Sequence, residues 1–184
     1  EAGVPGCALH VLLGSGSQIG NLLLRDSRIA GIAFTGSTDT AQHINQQLAL
    51  RPGSPIPFIA ETGGQNCMVV DSTALPEQVI DDVIASAFQS AGQRCSALRV
   101  LFIQSDIADN VLHMLRAAIA SLKVGVPRLL SSDLGPVIDR AAQAKLQTHI
   151  EHMQREAQLA AKVELDSRCD QGTFVRAPVF EITS

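Results

Sequence analysis

No cluster of basic residues occurs anywhere along the chain. Its 184 residues carry a formal net charge of −4. A nucleic-acid-binding surface needs a concentrated cationic face, so no nucleic acid is expected to bind through this segment. Long apolar runs are missing too. Stretches such as Val100 to Ile103 fall far short of the roughly 20 residues that cross a bilayer, so no membrane association is expected. The opening Glu1-Ala2-Gly3-Val4-Pro5 lacks the basic region followed by an apolar one that marks a secretory leader. The four cysteines, Cys7, Cys67, Cys95 and Cys169, contain no C-x-x-C pair, and a chain of this size does not need disulfide staples. A reducing cytoplasm fits, with most of these thiols acting as small packing groups and at most one doing chemistry. Tryptophan and tyrosine are also absent, which is uncommon for an intact domain and fits a part of a longer chain.

What is present supports a folded core, since 46% of residues are hydrophobic and only 17% charged, a balance that excludes wholesale disorder. The apolar run Leu9 to Leu13 ends in Gly14-Ser15-Gly16, and a helical stretch follows from Ile19 to Arg25. A second apolar run, Ile29 to Phe34, ends in Thr35-Gly36-Ser37-Thr38, and Asp39 to Leu50 is again helical. Strand alternating with helix at this spacing predicts an α/β fold with a parallel sheet. Residues 51–57 hold three prolines and a glycine. They cannot sit in a helix or a central strand and read as a linker or domain crossing. A strand is predicted at Cys67 to Val70. Asp71, Ser72 and Thr73 offer capping side chains to a helix whose apolar face is Val79, Ile80, Val83, Ile84, Ala87 and Phe88, and Gly92 ends it. Then come a strand from Leu98 to Ile103, helices from about Ile107 to Leu122 and Arg140 to Ala161, and a strand within Phe174 to Ile182.

Cys95 is the first candidate for chemistry. It follows a helix and a glycine, precedes a strand, and has Arg94 beside it. A turn presenting backbone N–H groups and a nearby positive charge would raise its thiolate fraction, and the thiolate is the nucleophile. The competing reading is a buried packing thiol, the usual fate of a free cysteine. Glu61, in Glu61-Thr62-Gly63-Gly64, is either an acid held where backbone must approach a ligand or an ordinary loop carboxylate. The two lie 34 residues apart, with a strand, a helix and a turn between, so the chain could bring both to one cleft. Gly14-Ser15-Gly16-Ser17-Gln18-Ile19-Gly20 is one residue longer than the dinucleotide fingerprint G-x-G-x-x-G. A tight strand-to-helix turn explains it equally well. Thr35-Gly36-Ser37-Thr38 is a second turn of that kind, and ligands collect at the carboxyl ends of parallel strands. His149 and His152 share a helix face with Cys169 downstream, but no third and fourth metal ligand is evident, so no metal is expected. His113, the nearest candidate base for a Cys–His hydrolase, stands at no diagnostic spacing. Alternating charges between Arg140 and Lys162 read as a solvated face.

Taken in order, Phe34-Thr35-Gly36-Ser37-Thr38, Glu61-Thr62-Gly63-Gly64-Gln65-Asn66 and the segment from Phe88 to Arg99 around Cys95 resemble the signature of the aldehyde dehydrogenase superfamily. Gly135-Pro136-Val137-Ile138 and Phe174 to Phe180 resemble two later landmarks, so the likeness runs along essentially the whole chain. Thr62 and Gln65 replace the family's usual Leu and Lys. With Arg51-Pro52-Gly53 and Pro55-Ile56-Pro57 ahead of them, they resemble the Δ1-pyrroline-5-carboxylate dehydrogenase modules of bacterial bifunctional proline-utilisation proteins. Ala41 stands where a glycine often closes the Gly-Ser-Thr turn, which predicts a looser turn, and Cys67 stands where a small residue is common.

The resemblance implies an aldehyde dehydrogenase-like fold. Residues 1–60 would be the end of a Rossmann-like NAD-binding domain and residues 61–184 the first half of an α/β catalytic domain. It implies Cys95 as nucleophile and Glu61 as base, with NAD as cofactor. Phe34, Thr35, Gly36, Ser37, Thr62 and Gly63 would face the cofactor and Ser96 the substrate. It further implies a small aldehyde as substrate, glutamate γ-semialdehyde before succinate semialdehyde, and a homo-oligomeric parent with a possible attached FAD-dependent proline dehydrogenase domain. The family's oxyanion-hole Asn, ribose-binding Lys and Glu, and aldehyde-anchoring loop would lie outside this chain. The rival from another class is a non-catalytic nucleotide-binding or scaffold segment, which would need neither Cys95 nor Glu61.

Overall fold

The computed structural model describes residues 3–182. The chain divides into two compact units, Glu1–Gly63 and Gly64–Ser184.

In the first unit, helix α1 (Gly16–Arg25) is followed by strand β1 (Ile32–Gly36), helix α2 (Thr38–Ala49) and strand β2 (Phe58–Thr62). The strands pair in parallel, as the strand–helix–strand pattern predicts. Both helices begin on a serine hydroxyl. Ser15 Oγ accepts the Gln18 N–H at 3.3 Å, and Ser37 Oγ accepts that of Thr40 at 3.2 Å, satisfying donors that helix geometry leaves unpaired. Leu24, Ala41 and Ile44 are the buried apolar residues. Ala41 sits in the first turn of α2 and donates its N–H to the Ser37 carbonyl at 3.0 Å, so the expected loosening does not occur. Residues 51–57 join α2 to β2 inside this unit.

One expected strand is missing. Leu9 to Leu13 is exposed and unpaired, preceded by a single 3-10 turn at Gly6–Ala8. Apolar composition alone does not make a strand, because the backbone groups need a neighbouring ladder. Gly14-Ser15-Gly16 therefore opens a helix without standing at a sheet edge.

The second unit begins with strand β3 (Asn66–Val70) and helix α3 (Pro76–Val83), and continues through strand β4 (Leu98–Ile103), helix α4 (Ser105–Ser121), helix α5 (Arg140–Glu156), strand β5 (Gln158–Lys162) and strand β6 (Pro178–Glu181). β3 and β4 pair in parallel, β5 and β6 antiparallel. The core lies between α3, α4 and the β3–β4 sheet, where Val79, Ile80 and Val83 meet Val111, Leu115 and Ile119. The last three recur every fourth residue, one stripe of a 3.6-residue helix. Asp71 does not cap α3. Its carboxylate accepts the Thr73 N–H and hydroxyl at 2.8 and 2.6 Å, closing an Asx turn, while Pro76 opens the helix with a ring already at helical φ. The expected helix through Ala161 ends at Glu156, and β5 replaces its last turn. α5 buries no residue fully. Its first turn is held by Asp139, whose carboxylate accepts the Ala142 N–H at 2.7 Å, and by Gln143, which donates to the Phe174 carbonyl at 2.8 Å.

Two outcomes follow from this packing. Ile119→Ala removes a side chain with no exposed surface and is expected to lower the stability of the second unit by about 2–5 kcal/mol, read from the urea midpoint. Asp166 is held low, at about 2 from a reference of 3.8, by side-chain and backbone hydrogen bonds from Arg168. A depressed carboxylate stabilises fully above the unfolded pKa and loses that contribution as pH falls through the folded one. Carboxyl NMR should therefore give Asp166 a midpoint near 2, and Arg168→Ala should return it toward the ordinary aspartate range.

Candidate active site

The first unit gathers six of the expected residues and Glu61 at the carboxyl ends of its two strands. The parallel register sets Phe34 beside Ala60, Thr35 beside Glu61, and Gly36 beside Thr62. Glu61 is thus a strand residue rather than a loop acid, and it is exposed. Phe34 folds its ring over Gly36, where an added Cβ would lie 2.5 Å from Phe34 Cζ. Ser37 closes the turn by capping α2, and Gly63 follows β2 in the open. A parallel-strand end running into the N-terminus of a 12-residue helix has the backbone N–H groups and dipole direction that suit a phosphate. Asp39 adds a negative charge in the first helical turn, which offsets part of that attraction.

In the second unit, the chain has nine residues in which to leave a helix and enter β4. α3 widens into a π turn at Ile84–Phe88 and tightens into a 3-10 segment at Gln89–Gly92. Ser90, Ala91 and Gly92 then stand at φ of 56°, 52° and 67°, three successive left-handed residues of which only Gly92 adopts that region without steric cost. A β-turn follows, with the Ala97 N–H donating to the Arg94 carbonyl at 3.2 Å. Cys95 and Ser96 occupy its two central positions, and both are exposed.

This exposure removes the packing explanation for Cys95. The buried thiol is Cys169, whose Sγ lies 3.7 Å from the Val124 carbonyl. Cys7 and Cys67 are exposed as well, so the expectation that most thiols pack is corrected: one of the four does.

Four side chains fix the turn, and the sequence assigned a role to none but Arg94. Asn66, the first residue of β3, donates Nδ2–H to the carbonyls of Cys95 at 2.7 Å and Ala97 at 3.0 Å. Arg99 donates to the Gly92 carbonyl at 2.6 Å. Gln93 donates to the Ser90 carbonyl at 3.0 Å and accepts the Ile138 N–H at 2.9 Å. Arg94, expected to bring charge to the thiol, instead directs its guanidinium to the carbonyls of Ala85 at 2.6 Å and Ser86 at 3.1 Å. Asn66 pairs with Leu98 and Cys67 with Val100, leaving Arg99 as an extra residue on β4. Such bulges re-aim side chains, and Arg99 is the side chain that reaches back to Gly92. The signal for Asn66, Gln93 and Arg99 was their place as polar residues inside the Glu61–Asn66 and Phe88–Arg99 motifs.

Val137 ties the first of the two later landmarks to Thr173, the residue just before the second. The Val137 N–H donates to the Thr173 carbonyl at 2.9 Å, and the Thr173 hydroxyl donates to the Val137 carbonyl. Ile138, next to Val137, donates its N–H to Gln93, so the first of these landmarks also supports the Cys95 turn. His149 and His152 are exposed on α5, and among the described residues no group of three or more His, Cys, Asp or Glu is placed to hold a metal ion.

The sequence profile of the aldehyde dehydrogenase family matches residues 1–184, and the chain belongs to that family. It is 47% identical over 190 residues to the bifunctional protein PutA of Salmonella typhimurium, an alignment that takes in 99% of this chain and 14% of PutA. It is 37% identical to the 1-pyrroline-5-carboxylate dehydrogenase of a Geobacillus strain, over 98% of this chain and 35% of that enzyme. Among solved structures, a Bradyrhizobium japonicum proline utilization A variant superposes with a TM-score of 0.93 at 48% identity, covering all of this chain and 18% of its own. The chain thus spans about a seventh of the length of the curated PutA relatives it matches.

The left-handed run gives a direct test of how the turn is set. A Cβ on Gly92 would sit 2.9 Å from the Ala87 carbonyl and 3.0 Å from Arg99 Nη1. Gly92→Ala is therefore expected to lose about 1–3 kcal/mol of stability, measured by urea unfolding, whereas Ala91→Gly should be neutral or stabilising.

Proposed function

We propose that this chain is part of an NAD-dependent dehydrogenase that oxidises glutamate γ-semialdehyde, formed from Δ1-pyrroline-5-carboxylate, to glutamate in proline catabolism. The carrying observation is Cys95, an exposed thiol at the centre of a turn fixed by four side chains, in a chain whose family relatives include 1-pyrroline-5-carboxylate dehydrogenases. The substrate reading rests on those relatives and on Thr62 and Gln65. Residues 1–60 serve as the end of the NAD-binding domain and residues 61–184 as the first part of the catalytic domain. The parent enzyme is cytoplasmic and homo-oligomeric, and the PutA relatives, named bifunctional, favour an attached FAD-dependent proline dehydrogenase domain.

In this reading the Cys95 thiolate adds to the aldehyde carbonyl and forms a thiohemiacetal. The Cys95 N–H stabilises the resulting oxyanion. Thr35, Gly36 and Ser37, with Phe34, Thr62 and Gly63, would hold the cofactor at the strand ends. NAD, when bound, supplies the acceptor for the hydride that leaves the thiohemiacetal carbon. The carbon is then a thioester on Cys95. Glu61 takes a proton from water as the water attacks that thioester, releasing the carboxylic acid and the thiol. Ser96 lies beside Cys95 on the substrate side.

Two substitutions in the full-length protein test the roles separately. Cys95→Ala is expected to lower NADH formation from glutamate semialdehyde by on the order of 10⁴-fold or more while NAD still binds by calorimetry; turnover close to that of the unsubstituted enzyme would refute the nucleophile. Glu61→Gln is expected to keep a rapid first burst of NADH and then turn over slowly, because acylation survives and hydrolysis does not. Equal loss in burst and steady state would remove Glu61 as the deacylating base. Faster oxidation of succinate semialdehyde than of glutamate semialdehyde would correct the substrate.

A further inference from the structure

Cys95 has no packing to hold its position. Its backbone is fixed through its peptide planes. The carbonyl of Arg94 accepts the Ala97 N–H, the carbonyls of Cys95 and Ala97 accept both hydrogens of the Asn66 amide, and the Leu98 N–H donates to Ser86 Oγ at 3.2 Å. No described peptide bond is cis, and a planar trans peptide points its N–H opposite its C=O. The Cys95 N–H therefore faces away from the Ala97 amide, out of the turn, and the Ser96 N–H faces away from Asn66. Hydrogen bonds chained through a peptide group also polarise it, so the grip on the Cys95 carbonyl strengthens the Ser96 N–H as a donor.

We propose that Asn66 is a positioning residue for the nucleophile: its amide draws the carbonyls of Cys95 and Ala97 toward β3 and so directs the turn's free N–H groups to where an oxyanion on the Cys95 adduct forms. This rests on the reading of Cys95 as nucleophile. Asn66 touches neither aldehyde nor cofactor in this role, and it acts through the main chain of the turn. Its chemistry is specific. Two donors on one planar head meet two carbonyls at 2.7 and 3.0 Å, an arrangement that the acceptor oxygens of an aspartate, although equal in shape, would repel. Its station is specific too, because the bulge in the β3–β4 pairing falls between Asn66 and Cys67.

The experiment compares two reactions of the same thiol in the full-length enzyme. Addition to an aldehyde generates an oxyanion; alkylation by iodoacetamide displaces iodide from carbon and generates none. For Asn66→Ala, the rate of the pre-steady-state NADH burst is expected to fall about 100-fold, the scale on which a misplacement of about 1 Å acts. The rate of Cys95 alkylation, followed by peptide mapping because Cys7 and Cys67 are exposed too, should stay within about threefold, with the same pH midpoint and an unchanged KM for NAD. Asn66→Asp should lose at least as much, and Asn66→Ser, which keeps one donor, should recover part of the burst rate. If Asn66→Ala does not fold, the serine variant carries the comparison. A parallel fall in burst and alkylation would make Asn66 a general support of the turn and overturn the proposal, as would a burst rate left unchanged. Failure of the underlying reading looks different: a Cys95→Ala protein that still gives the burst removes the nucleophile itself, whatever the Asn66 variants do.

Discussion

The second unit depends on a reversal between Gln89 and Ala97. A helix lying on the sheet has to deliver its chain to the start of a parallel strand, and the route passes through three left-handed residues. Two of these carry a Cβ and oppose the conformation. Such strain persists only where the surroundings over-determine it. Here the surroundings are polar: Gln93 holds the Ser90 carbonyl, Arg99 holds that of Gly92, and Arg94 anchors to the carbonyls of Ala85 and Ser86. The exposed position of Cys95 follows from this route, since the chain reaches the core again only at Ala97 and Leu98.

Most of this architecture was legible in the sequence wherever an apolar period marked a face. The helix expected from about Ile107 to Leu122 is α4, Ser105–Ser121, and the strand expected from Leu98 to Ile103 is β4 to the residue. Leu9 to Leu13 was misread because an apolar run specifies a preference for burial and not a partner. The end of α5 was misread because the residues after Glu156, Ala157-Gln158-Leu159-Ala160-Ala161, are good helix formers, and pairing with Pro178–Glu181 overrides that preference. At the site, the thiol, the carboxylate and the strand-end turn could be put forward as candidates because their chemistry is carried by residue type. Asn66 could not, because its importance lies in reaching carbonyls 29 and 31 residues away, and carbonyls leave no mark on a sequence. Arg94 shows the same limit in reverse: adjacency to Cys95 suggested a charge partner, and geometry gave the guanidinium to the helix behind it.

The two units are organised differently. In the second, α3 and α4 press on the β3–β4 sheet and bury a continuous apolar cluster. The first buries little beyond Leu24, Ala41 and Ile44 and relies on serine caps and one pair of strands. A short ladder still suffices to place Thr35 beside Glu61, because register is a discrete quantity and does not soften gradually when the core is thin.

The bulge between Asn66 and Cys67 sets a tolerance on length. Between Val70 and Pro76, or along the exposed segment 126–132, added residues would be absorbed as larger loops at small entropic cost. One residue gained or lost between Cys95 and Leu98 would break the turn that carries the thiol, and one gained or lost between Asn66 and Val70 would slide the ladder by about 3.3 Å and turn side chains on it to the opposite face. The amide of Asn66 would then face away from the thiol's turn, and Arg99 away from Gly92. Divergence within this unit is therefore free to lengthen exposed loops but not to change the count of residues in these two short stretches, and gaps in an alignment of such chains should fall in those loops.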